Sequence, residues 1–185
     1  MLAWNMPTQL AIGRPKSDEY KPYQESYVKL VPDGDILAIL ESAMEQLTSK
    51  LRSVPAERAS QPIAPGKWTV KQMLGHISDT ERVFAYRALS FARGDSNELP
   101  GFEQDDYVRE AGSDDCSWDS LIDDFEVVRR STILFFRHLP EAAWMRSGTA
   151  NKGLFTVRAI AYVLAGHALY HAAQLEQYGV ISASS

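Results

Sequence analysis

Residues 156–179 read TVRAIAYVLAGHALYHAAQLEQYG, and this stretch decides the fold. Between Arg158 and Glu176 it carries no formal charge and is mostly apolar. The run falls short of the roughly 20 residues that a membrane-spanning helix needs. It also contains His167, His171 and Gln174. The pattern predicts a helix from about Thr156 to Tyr178, closed by Gly179. A helix apolar on most of its circumference belongs at the centre of a core, with other helices around it.

Three such helices are legible upstream. Ile36, Leu37, Leu40, Met44, Leu47 and Leu51 recur at three- and four-residue steps, predicting a helix that starts at an Asp33 cap and stops near Val54-Pro55. After a proline-containing connection over 56–67, Thr69 reads as the cap of a second helix, Val70 to Arg93, ended by Gly94. Residues 94–116 are polar with Pro100-Gly101 inside, a long excursion of the kind that often roofs a binding site. A third helix is expected from about Ser117 to His138, with Trp118, Leu121, Ile122, Phe125, Val128, Leu134 and Phe135 on its buried side. Residues 1–32 have no sustained period and read as an irregular lead-in. With no alternating strand pattern between the helices, the expected fold is all-α, a four-helix bundle forming one domain over residues 1–185.

Composition narrows the function classes. At 185 residues, 45% apolar and 23% charged, the chain can bury a sizeable core. A net charge of -5 with scattered Lys and Arg argues against nucleic-acid and anionic-membrane partners. Cys116 is the single cysteine, which excludes an internal disulfide and a cysteine-based zinc cage. Its acidic neighbours Asp114 and Asp115 disfavour a reactive thiolate. The first residues lack a basic-then-apolar signal pattern, so the cytoplasm is the expected location.

The histidines carry the chemistry. The second and fourth helices open alike, Trp68-Thr69-Val70-Lys71 and Phe155-Thr156-Val157-Arg158, and each leads to a Gly-His pair, Gly75-His76 and Gly166-His167. His76 follows its cap by seven residues and His167 by eleven; the difference of four is close to one turn, so both have the same phase. His171 lies one turn beyond His167 on that face. Three imidazoles so placed can hold one divalent ion and leave a coordination position for water or substrate. Read without a metal, they are core histidines, although the apolar neighbours Leu164, Ala168, Ala172 and Leu175 offer no polar partner. Tyr170 and Gln174 are the local candidates for that role. His138, at a helix end before Pro140, reads as a surface residue that complements the helix dipole.

Trp68-Thr69-Val70, Gly75-His76-Ile77-Ser78-Asp79-Thr80-Glu81, Gly166-His167-Ala168-Leu169-Tyr170-His171 and the stretch from Leu99 to Tyr107 together resemble the DinB superfamily over about residues 33–178. The resemblance implies a four-helix bundle, often a homodimer, with a divalent transition metal (zinc, nickel or iron) held by His76, His167 and His171. It also implies enzymes that use a low-molecular-weight thiol. The leading expectation is therefore a thiol-dependent S-transferase acting on small electrophiles. A metal-dependent hydrolase and a non-catalytic, stress-associated metal- or ligand-binding protein are the alternatives. Pocket candidates are Thr80, Asp105, Tyr107, Tyr170 and Gln174, while Asp79 and Glu81 read as solvated charges or salt-bridge partners.

Overall fold

The computed structural model describes residues 12–183. A 3-10 turn at Pro22–Gln24 runs into α1 (Glu25–Val28), followed by α2 (Ile36–Arg52), α3 (Ala56–Ala59) and α4 (Val70–Ala92). Next come α5 (Gln104–Glu110), a 3-10 turn at Ser113–Asp115, α6 (Trp118–Arg137) and α7 (Glu141–Trp144). A hairpin of β1 (Ser147–Ala150) and β2 (Gly153–Thr156) leads into α8 (Val157–Gln177). No helix among the described residues is long and apolar enough to cross a membrane.

Capping chemistry sets the helix starts. The Thr69 hydroxyl accepts from the Gln72 N–H while the Gln72 side chain accepts from the Thr69 N–H, a reciprocal capping box on α4. Thr156 and Ser117 cap α8 and α6 through the N–H groups of Ala159 and Ser120. On α2 the cap is Asp35, bonded to the Leu37 N–H, rather than Asp33. Asp33 lies two residues too early to reach a first-turn donor of this helix. Gly94 and Gly179 follow α4 and α8 at φ +78 and +65, the left-handed conformation that ends a helix cheaply only at glycine.

The four long helices form the bundle, but not in sequence order. α2 packs against α6 and α8, and α4 packs against α6 and α8. The consecutive helices α2 and α4 therefore stand diagonally, as do α6 and α8. A diagonal connection must cross the end of the bundle, which the 53–69 and 138–156 segments do. Trp118 ties one such corner by donating its indole N–H to the Leu51 carbonyl at 3.1 Å.

Three expectations need correction. The 139–155 segment, where no alternating strand pattern is legible in the sequence, contains α7 and the hairpin. Its turn residues Asn151 and Lys152 both have positive φ, 48 and 61, which matches the twist of a two-residue hairpin connection. The 94–116 excursion contains α5 and a 3-10 turn, both packed on α4. On α6 the buried positions include Arg129, Thr132, Ile133 and Phe136, while Leu134 is 48% exposed. Position 134 is about 200° from position 136 on the helical wheel, so its apolar character does not place it inside.

The core divides into two apolar clusters. One gathers Phe84, Phe91, Ile133, Phe136, Phe155 and Ile160, the other Met44, Leu74, Ile77, Ile122, Phe125 and Leu175. Between them lies a buried polar waist: His76, Ser78, Thr80 and Glu81 on α4, Arg129 and Thr132 on α6, and His167 and His171 on α8. Arg129 is fully buried and donates to Glu81 Oε2 at 2.9 Å and to the Leu164 carbonyl at 3.1 Å, joining three helices. Glu81 is thus an ion-pair partner and is not solvated; Asp79 pairs with Arg82 nearer the surface.

Candidate metal centre

His76 comes from α4 and His167 and His171 from α8, and all three are buried. The cap-counted phase is realised. His167 Nε2 lies 3.1 Å from His76 Nε2 and 3.1 Å from His171 Nε2. Donor atoms of the three rings all fall within 4.8 Å of one another. Two nitrogens on one tetrahedral zinc lie about 3.3 Å apart, given bonds of about 2.0–2.1 Å. The observed spacing suits that geometry.

The glycine before each histidine has a structural reason. A Cβ on Gly166 would collide with the backbone carbonyl of Tyr27, and one on Gly75 would collide with the Ser113 hydroxyl. Segments crossing the bundle therefore lie directly on each helix beside its histidine. The 113–116 segment is fixed there by Asp114, which accepts from the Thr69 hydroxyl and the Gln72 amide, both at 2.7 Å. Lys71 adds bonds to the Asp114 and Cys116 carbonyls.

Burial sets the protonation state. It lowers His76 to about 4, against a smaller opposing effect of the Asp105 charge. It lowers His171 to about 3, helped by the charge of His76 and opposed by a hydrogen bond to Gln174. His167 is pushed down by burial, then by His171, His76 and Arg129. All three rings are neutral at pH 7, the form that binds metals. His171 Nδ1 donates to Gln174 Oε1 at 2.9 Å, so its lone pair is on Nε2, facing the other rings. Three neutral imidazole nitrogens at one point cannot all satisfy each other with protons, whereas one cation accepts all three lone pairs. The donor set fits a divalent ion of the borderline class, and no carboxylate among the described residues joins it.

The remaining candidates separate by position. Gln174 also donates to the Tyr170 hydroxyl at 3.3 Å, and Tyr170 packs edge-on against His171, so both belong to the shell around the triad. Thr80 is one turn beyond His76, buried, with its hydroxyl unpaired by protein. Asp105 is exposed on α5, close enough for its charge to reach His76. Tyr107 is 46% exposed and packs on Phe102. Cys116 and His138 are exposed. Two aromatic neighbours escaped the sequence reading as site residues. Trp68 lies 5.0 Å from His76 and Tyr27 lies 5.3 Å from His167, ring centre to ring centre. Trp68 was visible as the aromatic before the capping threonine; Tyr27 sits in the lead-in, where no periodicity points to it.

Comparison with known proteins bears on family and fold. Residues 38–175 match the profile of the DinB superfamily. No curated protein matches the sequence. Among solved structures, YfiT from Bacillus subtilis, described as a probable metal-dependent hydrolase with an unusual four-helix bundle topology, superposes with a TM-score of 0.68 at 15% identity, covering 92% of this chain and 95% of that one. A mycothiol-dependent maleylpyruvate isomerase superposes with a TM-score of 0.66 at 14% identity, covering 80% of this chain and 62% of that one. At these identities the likeness is one of fold.

Proposed function

Because this chain belongs to the DinB superfamily, we propose that it is a metal-dependent enzyme holding one divalent ion on His76, His167 and His171. The observation that carries the reading is the convergence of three buried, neutral imidazoles, with His167 Nε2 at 3.1 Å from the Nε2 atoms of both His76 and His171. A divalent ion at that point supplies Lewis-acid chemistry, bringing the pKa of a water or thiol down to the neutral range. Gln174 holds His171 in the tautomer that presents Nε2, and Tyr170 holds Gln174. Trp68 and Tyr27 wall the histidines with apolar surface, which restricts water.

The leading reaction is transfer of a low-molecular-weight thiol to a small electrophile. A coordinating thiol ionises without a general base, and the triad has no carboxylate within it. The thiol dependence named for the isomerase of similar fold supports this reading. Metal-dependent hydrolysis is the second reading, supported by the likeness to YfiT over nearly the whole of both chains and by Asp105, a carboxylate whose charge reaches the triad. A homodimer in the cytoplasm completes the proposal; light scattering of the purified chain tests the dimer.

Elemental analysis of untagged protein beside His167→Ala is the deciding experiment. About one equivalent of transition metal in the wild type, lost in the variant, is the expected result. No metal in the wild type, and no uptake of added zinc, nickel or iron, would overturn the proposal. Loaded protein assayed with a bimane electrophile, with and without added thiol, and with an ester substrate, then separates transferase from hydrolase. Turnover of neither leaves the non-catalytic binding protein as the reading.

A further inference from the structure

Arg87 lies on α4 eleven residues after His76, three turns along the same face. It is only 4% exposed. Its guanidinium lies over the Phe84 ring at 4.7 Å and near Phe102 at 6.0 Å, and one amino group donates to the Pro100 carbonyl at 2.8 Å. Among the described residues no carboxylate pairs with it. Residues 1–11 and 184–185 contain no Asp or Glu either. A buried guanidinium normally has a counter-charge, since an unpaired one is costly. Arg129, the other deeply buried arginine of α4 and α6, has its carboxylate in Glu81. Arg87 has five N–H donors and one protein acceptor. Its other nitrogens are not among the sealed, unpaired atoms, in contrast to two of Arg129. They are therefore not completely sealed, although the residue as a whole is buried.

The neighbours of Arg87 connect it to the histidines. Tyr23 and Tyr107 are its electrostatic neighbours. Tyr23 in turn acts on Tyr27, whose ring meets His167. Tyr107 shares α5 with Asp105, whose charge reaches His76. Arg87 is also tied by its Pro100 bond to the 94–116 segment, whose helix α5 packs on α4 and carries the Asp105 charge that reaches His76. Eleven residues of helix separate the two Cα atoms by about 16 Å along the axis, and the longer arginine side chain, leaning toward the N-terminus, reaches part of the way back.

We infer that Arg87 is the anchor for an anionic oxygen group, a carboxylate or phosphate, on the small molecule that the histidine site acts on. This rests on the proposed metal-dependent function and narrows its substrate class. The planar fork of a guanidinium matches two anionic oxygens, and with Phe84 and Phe102 at its flanks the edges remain for bonding. The helical spacing to His76 calls for a molecule whose reactive centre and charge lie at opposite ends, no more than about 16 Å apart. The bond to Pro100 pre-positions the fork and leaves donors free.

The test titrates the full chain, metal-free and nickel-loaded, with succinate, inorganic phosphate and the neutral isostere succinamide at constant ionic strength. Calorimetry reads affinity, and proton–nitrogen spectra read the arginine Nε–H groups. Saturable binding of succinate or phosphate is expected, shifting one Nε–H resonance that is missing from Arg87→Met. Succinamide should bind at least about tenfold more weakly, and Arg87→Met should lose about tenfold or more for the anion. Arg87→Lys, which keeps charge without the fork, should fall between. Which anion binds more tightly distinguishes carboxylate from phosphate. Circular dichroism and metal stoichiometry check that the variants fold and load. Equal affinity in wild type and Arg87→Met, or no saturable binding of either anion, overturns the inference and leaves Arg87 as a clamp on the 99–102 segment. Loss of metal binding in the wild type, with anion binding intact, would instead overturn the metal reading.

Discussion

Gln174 does two jobs at once for His171: it accepts the Nδ1 proton and it is itself held by Tyr170. Replacing it with leucine leaves a buried N–H without an acceptor and frees the ring to change tautomer. Partners of this kind usually matter about 10–100-fold in metal affinity. Gln174→Leu should weaken metal binding by that factor while Gln174→Glu, which keeps an acceptor, largely retains it; competition against a chromophoric chelator measures both. The same rings make the metal-free protein sensitive to acid. Their folded pKa values, about 4 for His76 and about 3 for His171, lie below the ordinary 6.5. The unfolded chain therefore takes up protons first as pH falls through 6.5, and stability present above that pH is lost down to the folded values. His76 alone accounts for on the order of 3 kcal/mol across its window. Urea titrations of EDTA-treated protein from pH 7 to pH 5 should show a steady decline, and a flat profile would contradict a buried neutral triad. At this scale the convergence of the three histidines was legible because caps and an i,i+4 step fix rotation. Gln174 was legible as a polar residue one turn from His171. Arg87 shared the phase of His76, but its lack of a carboxylate is a property of the folded chain and could not be read from spacing.

At the scale of elements, stripes and caps are local, so the four long helices followed directly from the sequence. The hairpin did not, because four-residue strands are too short to show alternation. Asn151 was its one usable sign, as a residue that tolerates left-handed φ. Arg129 and Leu134 misled in the opposite way: apolar identity outweighed phase, and phase was right. The Gly-His echo acquires a meaning only when α1 is seen to lie against Gly166. Alanine in a helix interior normally stabilises by about 0.5–1 kcal/mol over glycine. At Gly166 the added methyl meets a backbone carbonyl, which cannot rotate aside, and overpacking of this kind costs about 1–3 kcal/mol. The clash should win. Gly166→Ala is expected to lower the urea midpoint and to raise amide exchange in residues 25–30, the segment it displaces. A rise in stability would show that α1 moves away at little cost.

The whole molecule is two apolar clusters joined through a polar waist, and the diagonal order of its helices makes that waist possible. Arg129 can bridge α4 and α8 because α6 packs on α4 and faces α8 across the bundle. Nothing in the sequence announces this order: stripes say that helices pack, whereas the choice of neighbour depends on how the 53–69 and 138–156 connections cross the ends. The waist is not where stability should come from. Glu81 Oε1 and two Arg129 nitrogens have no protein partner, so the ion pair is only half satisfied in a place where desolvation is expensive. Removing one partner should be worse than removing both. Arg129→Met leaves the Glu81 carboxylate buried alone and should cost about 3–5 kcal/mol, whereas Glu81→Met with Arg129→Met should recover much of that loss, as urea midpoints would show. If the pair instead serves to hold α4 and α8 at the spacing the histidines need, the double variant should be well folded yet bind metal more weakly than the wild type. A double variant equal to the wild type in both respects would show that the ion pair fills space between the clusters and that the triad is positioned by apolar packing and the Gly166 and Gly75 contacts alone.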